Sequence, residues 1–250
     1  AMTLRPRTQP PAKQECRCSF KRWLLSRKMP RETVERLAEA WRPAAYQPGN
    51  ILFYQGNQPL AIHFVCAGRV KLVRCEGSGR QRIVRIVSAP EVLGERALLA
   101  DQPYAATAEV TEDAHICQVD AVRFQKLWAQ DPELPRFFAR LLAEKLGEAD
   151  ENGSDLALRT IRERLAKLIV ELHDAVPGPG APLALPESRQ DLADLLGTAP
   201  EVVSRVLAEL CEKRLIALAG RSIRVIELSR LRAAARMGGN GGCALSRDMT

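Results

Sequence analysis

The chain has 250 residues, 46% hydrophobic and 27% charged, enough for one large or two ordinary domains with real cores. No run approaches the roughly 20 apolar residues that cross a bilayer, and the Arg/Pro-rich N-terminus has no apolar signal core, so no membrane partner and a cytoplasmic location are expected. Seven cysteines, an odd number without small-scaffold spacing, argue against a secreted disulfide framework. The net charge of +7 does not by itself point to nucleic acid: residues 1–42 hold eleven Lys/Arg against four Glu, so the whole excess sits there and the remainder is neutral.

Residues 1–19 read as a basic, partly disordered arm, with Pro6 to Ala12 rich in proline. It is either a solvated lead or an extra phosphate contact. Phe20 to Trp41 carries two helical patches, SFKRWLLSRK and RETVERLAEAW, separated at Met29-Pro30. From Ala44 to Val119 the pattern changes to short β-rich runs (ILFYQ, IHFVCAG, VKLVRC, RIVRIV, ICQV) punctuated by glycine. That texture predicts an antiparallel roll, and residues 20–130 form the expected sensor domain with its flanking helices.

Asp120 to Asp131 returns to helix, and a longer helix is predicted from near Pro132, assigned to residues 131–155. Phe138, Leu141, Leu142 and Leu146 make one apolar stripe on it. Such a stripe buries itself either against a second copy, giving a two-fold dimer, or against the chain's own roll; the dimer is the favoured reading. Glu148, Asp150, Glu151 and Asp155 follow on the same helix, where like charges facing a partner would oppose association. The segment LALRTIRERLAKLIVELHD is amphipathic, PGPGAP (Pro177 to Pro182) resembles a linker, and residues 233–250 read as a flexible tail.

The most informative stretch, Ser188 to Arg221, reads SRQDLADLLGTAPEVVSRVLAELCEKRLIALAGR. It parses as a helix from Gln190 to Leu196, a turn through Gly197-Thr198, a helix from Pro200 to Lys213 and a Gly220 turn into a strand over Ser222–Ile226. This is the order of a winged helix-turn-helix, here residues 156–232. Leu192, Leu195 and Leu196 give the first helix an inner face; Val203, Val206, Leu207 and Leu210 do so for the second, which turns Glu201, Ser204, Arg205 and Ala208 outward. Thr198 is the expected N-cap, with Pro200 in the first turn. An exposed Glu, Ser and Arg at the start of a recognition helix can read base edges in the major groove. Glu201, Ser204, Arg205, Arg189 and Thr198 are therefore the candidate DNA contacts, with double-stranded DNA as partner.

A glycine-punctuated roll, a long helix and a winged helix-turn-helix resemble the Crp/Fnr transcription regulators from about Cys16 to Leu231. The strings PGNILFYQGNQPLAIHFVCAGRVKL, VLGE at Val92 to Glu95, ATAEVTEDA and RERLAKLIVEL carry the likeness, and EVVSR at Glu201 to Arg205 is similar to the reading triad of the Fnr branch. The resemblance implies an α+β fold with a cyclic-nucleotide-binding-like jelly roll. It also implies a homodimer on an inverted repeat with TTGAT-like half-sites, RNA polymerase as a further partner, and no enzymatic activity.

For the signal, the resemblance offers two precedents. The cyclic-nucleotide branch uses a Glu for the ribose and an Arg-Ser pair for the phosphate; here Glu95 is present, but Tyr104-Ala105 stands in the Arg-Ser place, with Arg96 the remaining nearby cation, so cyclic AMP is not expected. The Fnr branch holds a [4Fe–4S] cluster on cysteines. Cys16, Cys18 and Cys117 fall on or near those ligand places, while Leu24 occupies the last N-terminal one. Four readings stay open: a cluster with a non-cysteine fourth ligand such as Glu15 or His115; a thiol or metal switch favoured by Arg17, Lys21 and Arg22; heme or another small ligand in the roll; and a constitutive regulator with inert cysteines. Cys66, Cys75 and Cys211 read as core or strand-surface residues, and Cys243 as part of the tail. From another class, a redox or metal-binding protein with an accessory DNA-binding domain has no nucleophile–base pair to support it.

Overall fold

A computed structural model describes residues 19–77, 81–175, 183–184, 188–220 and 222–235. It divides into two compact units, residues 1–146 and 147–250. No helix among the described residues is long and apolar enough to cross a membrane.

The first unit opens with helices α1 (Ser19–Ser26) and α2 (Arg31–Glu39). Eight strands follow: β1 (Arg42–Tyr46), β2 (Ile51–Phe53), β3 (Ala61–Ala67), β4 (Arg69–Cys75), β5 (Gln81–Ser88), β6 (Glu91–Leu93), β7 (Thr107–Val110) and β8 (Ala114–Asp120). A short helix α3 (Glu95–Leu99) lies between β6 and β7. The strands make two four-stranded antiparallel sheets, ordered β1-β8-β3-β6 and β2-β7-β4-β5. Val65, Val70, Val87, Leu93, Val110 and Ile116 fill the space between the sheets. Gly68 joins β3 to β4 with φ +89°, and a Cβ there would stand 2.5 Å from the Asp113 carbonyl, so this close strand crossing admits only glycine.

The opposite face of the first sheet is covered by helices. Ile62, Phe64, Cys66, Cys117 and Val119 pack with Phe20 and Leu24 of α1, Val34 and Leu37 of α2, Phe124 of α4 (Ala121–Gln130), and Leu134, Phe137, Phe138 and Leu141 of α5 (Glu133–Leu158). Alternation along β3 explains this double use: Ile62, Phe64 and Cys66 face the helices, and Val65 the other sheet. Asp120 caps α4 by accepting from Arg123 N–H at 2.9 Å.

Two expectations change here. Phe138 is fully buried with its ring 5.2 Å from Phe124, and Leu141 is 6% exposed in the same cluster, so both belong to the chain's own core and not to a seam facing a second copy. The apolar stripe is real, but its first half is spent against the roll. Leu142 is half-buried, and Leu146, at 63% exposure, remains on the surface. Asp155 likewise leaves the expected like-charge group, because Arg159 and Lys167 both pair with it.

In the second unit, α6 (Ile161–Ala175) starts with a capping box: Thr160 N–H donates to Glu163 Oε2 at 2.8 Å and Glu163 N–H to Thr160 Oγ1 at 3.3 Å. Then come β9 (Leu183–Ala184), α7 (Arg189–Leu196), α8 (Pro200–Glu212), β10 (Ile216–Ala219), β11 (Ser222–Val225) and α9 (Leu228–Ala234). The small sheet has the order β10-β11-β9. Leu165, Ile169, Leu192, Val203, Leu207, Leu210, Ile223 and Leu231 are among its core residues. The expected tail began at residue 233, whereas α9 runs to Ala234 and Ala235 is buried, so the packed unit extends past that boundary.

Candidate nucleic-acid interface and sensor site

The second unit presents α8 as a polar stripe on an apolar cylinder. Val203, Val206, Leu207 and Leu210 are buried, and Glu201, Ser204, Arg205 and Ala208 are exposed. Gly197 ends α7 at φ 64° and turns the chain into α8. Pro200 occupies the first helical turn, where its missing N–H loses nothing. The N-cap is Ala199, not Thr198; the Thr198 N–H instead donates to Ala193 O at 2.9 Å, closing the turn. Thr198 is half-buried.

Ser188 caps α7, accepting from Asp191 N–H at 2.9 Å while its hydroxyl donates to the Asp191 carboxylate at 2.8 Å. The SRQD string carries this signal in plain sight. Arg189, next to it, is half-exposed. Among the described residues, no ion-pair partner stands within 4 Å of Arg205, Glu201 or Arg189, although other charged groups of the unit are taken. Glu209, one turn past Arg205, accepts from Lys213 and Arg162, and these hydrogen bonds hold its carboxyl below the usual range. The start of α8 therefore carries polar groups with unspent bonding capacity.

In the first unit, Glu95 and Tyr104 of the roll are both engaged by the protein's own groups. Glu95 is 6% exposed and its carboxylate accepts from Lys145 Nζ of α5 at 2.7 Å; the same ammonium bonds Glu91 Oε1 and the Val92 carbonyl, each at 2.7 Å. Tyr104, buried, stacks on Phe53 at 3.9 Å and donates its hydroxyl to Ala61 O at 3.0 Å. Arg96 is exposed. His63 points at this aromatic pair, 5.3 Å from the Phe53 ring, and burial pushes its pKa down to about 4 against a smaller opposing pull from the Leu93 backbone.

The expected cysteine set divides. Cys16, Cys18, Glu15 and Cys243 lie outside the described residues. Cys117 is 1% exposed in β8, and His115 is exposed at the strand's start, so the pair is not gathered into one pocket. Leu24, which takes the place of a thiol in the resemblance, is core. What comes to Cys117 instead is Cys66: the two Sγ atoms are 3.5 Å apart. Sequence reasoning assigned Cys66 to packing and missed this neighbour, because 51 residues separate the two. Cys75 is exposed and Cys211 half-buried. Among the described residues, no group of three His, Cys, Asp or Glu side chains is arranged to hold a metal ion.

A two-sheet roll joined to a winged helix with a bare polar recognition face defines a DNA-binding regulator of transcription. Residues 43–131 match the cyclic nucleotide-binding domain and residues 163–234 the Crp-like helix-turn-helix domain. The cyclic AMP receptor protein of Thermus thermophilus is 30% identical over 200 residues, which are 80% of this chain and 91% of that protein. The transcriptional activator protein Anr of Pseudomonas aeruginosa is 26% identical over 78% of this chain and 80% of its own length. FixK2 from Bradyrhizobium japonicum has the same fold, with a TM-score of 0.70 at 24% identity, covering 78% of this chain and 96% of FixK2. The chain belongs to the Crp/Fnr family of transcription regulators, whose members here are regulators and not enzymes.

Proposed function

We propose that the protein works as a cytoplasmic homodimer that reads a palindrome with TTGAT-like half-sites and acts with RNA polymerase, under control of a redox or oxygen signal received at its cysteines. The observation that carries the DNA half of this reading is the exposed, unengaged trio Glu201, Ser204 and Arg205 on α8. Arg can bond a guanine bidentately and Glu can accept from a cytosine amino group, which is how a helix of this kind discriminates sequence. A two-fold dimer places two such helices about one DNA turn apart on an inverted repeat.

The signal half rests on chemistry that the roll offers. Glu95 is bonded to Lys145, and Tyr104-Ala105 stands in the place that the family resemblance gives to the phosphate-binding Arg-Ser pair, which speaks against cyclic AMP. Thiols are the sensor groups this reading uses, with Cys117 and Cys66 in van der Waals reach of each other. Sequence and burial together favour an iron–sulfur or thiol sensor over a nucleotide sensor.

The test is a binding titration at fixed salt, with protein purified without air, against a TTGAT-type palindrome and a scrambled duplex. The parent should prefer the palindrome, and Arg205→Ala should lose about 1–3 kcal/mol of that preference while keeping most nonspecific binding. Equal affinity of the parent for both duplexes overturns the reading.

A further inference from the structure

Cys66 and Cys117 face the same side of their sheet, and their Sγ atoms stand 3.5 Å apart although the ladder does not pair the two residues. Cys117 is opposite Phe64, so in a regular antiparallel ladder Cys66 would be its diagonal neighbour, about 7–8 Å away at Cα and past the reach of a disulfide. A bulge changes that relation. Val65 is opposite Ile116 and Ala67 opposite His115, which makes Cys66 the extra residue and re-aims its side chain toward Cys117. Its thiol is within hydrogen-bond reach of the Phe64 carbonyl at 3.3 Å as well as of the Cys117 sulfur.

The same bulge holds α1. The Ser19 hydroxyl donates to the Cys66 carbonyl at 2.6 Å, and Phe20 packs edge-on against Phe64 with ring centroids 5.1 Å apart. Both thiols are buried, Cys66 at 7% and Cys117 at 1% exposure, so Cys66 is the one that solvent reaches first. Of the other described cysteines, Cys75 is exposed at the end of β4 in the opposite sheet, and Cys211 belongs to the second unit.

We propose that Cys66 and Cys117 are the site of a reversible disulfide whose closure loosens α1 from the roll. This rests on the cysteine-sensor reading above and commits it to a dithiol, with a hydroperoxide as oxidant. The Cys66 thiolate attacks one oxygen of hydrogen peroxide; the O–O bond breaks, the departing hydroxide takes up the thiol's proton as water, and a sulfenic acid stays on Cys66. The Cys117 sulfur then attacks the Cys66 sulfur. The S–S bond forms, the S–O bond breaks, and hydroxide leaves with the Cys117 proton as a second water. The two thiols lose two electrons and two protons, and the peroxide gains both. Closure brings the sulfurs from 3.5 Å to about 2.05 Å, and in a close-packed interior the bulge has to follow. The Phe64 carbonyl then loses the thiol proton near it, and the Cys66 carbonyl is drawn from the Ser19 hydroxyl.

The experiment uses the full chain, reduced and freed of reductant under argon, then treated with hydrogen peroxide as the probe. Remaining thiols are alkylated, and a digest without reductant is read by mass spectrometry. The parent should yield a Cys66–Cys117 linked peptide that dithiothreitol separates. Amide hydrogen exchange over residues 19–26 should be about fivefold faster in the oxidised chain, as expected for one lost hydrogen bond. Ser19→Ala should show that faster exchange without peroxide. Cys66→Ala and Cys117→Ala should each give no link and the same exchange with and without peroxide, whereas Cys75→Ser and Cys16→Ser/Cys18→Ser should behave as the parent. Mapping on the parent needs no variant, so the site is tested even where an alanine variant fails to fold. An oxidised parent without the link, or with Cys66 or Cys117 joined to another cysteine, overturns the site; a link with unchanged exchange over 19–26 overturns the loosening of α1. If the link is absent but peroxide still alters the preference for the TTGAT-type palindrome, the cysteine sensor stands without this site; absence of both overturns both.

Discussion

The two units of this chain contrast in how their function is encoded. In the C-terminal unit everything that matters is local: α8 presents Glu201, Ser204 and Arg205 because Val203, Val206, Leu207 and Leu210 turn the other way, a relation set within ten residues. In the N-terminal unit the decisive contacts are long-range. Cys66 meets Cys117 across 51 residues, and Lys145 meets Glu95 across 50. A helix with one polar face can be recognised by periodicity, whereas a cluster assembled from distant strands is defined only when the sheet closes.

The contrast can be broken from the roll side. Gly68→Ala should have the largest effect, on the order of 4 kcal/mol, because the added Cβ meets backbone at 2.5 Å in a left-handed conformation. Limited proteolysis should then cut the N-terminal unit while the winged helix persists; a wild-type digestion pattern would refute the packing described. Lys145→Ala comes next, at about 3 kcal/mol, since it leaves Glu91 and Glu95 without their shared cation at 14% and 7% side-chain exposure. Denaturant titration measures it, and Arg140→Ala, on an exposed position of the same helix, should change little.

His63 gives a pH test of roughly 2–3 kcal/mol. Its folded pKa of about 4 lies below the unfolded value of 6.5, so over that interval the unfolded chain binds a proton that the folded chain refuses. Stability contributed by the neutral ring is complete above pH 6.5 and declines as the pH falls toward 4. The upper part of this window precedes most carboxylate titration, and His63→Gln should flatten the slope there; an unchanged slope would place the titrating group elsewhere. The smallest effect belongs to the local unit. Ser188→Ala should cost about 1 kcal/mol by removing the cap of α7, read as a lower melting temperature of the winged helix.

Particular residues show where sequence reasoning reached its limit. The boundaries of α7 and α8 came within a residue of those observed, because apolar spacing, Gly197 and Pro200 agree. Strands β1, β6 and β7 were not separated in the pattern. RPAAY has no clean alternation, and EVL and TAEV are too short to show any. The stripe of Phe138 and Leu141 was legible as apolar but silent about its partner, since a helix that packs on a roll and one that packs on its twin have the same period. The cap at Ser188 and the box at Thr160–Glu163 were readable by rule and were passed over in favour of larger features.

Lys145 also has a mechanical meaning. Its ammonium ties the first turn of α3 to a helix whose opening residues, Leu134 to Leu141, are embedded beneath the roll. The tether is electrostatic and nearly dry, so its strength follows whatever charge arrives beside Glu95. Without that ammonium the first turn of α3 would lose its hold on α5, so one side chain sets how firmly the roll grips the helix that covers it.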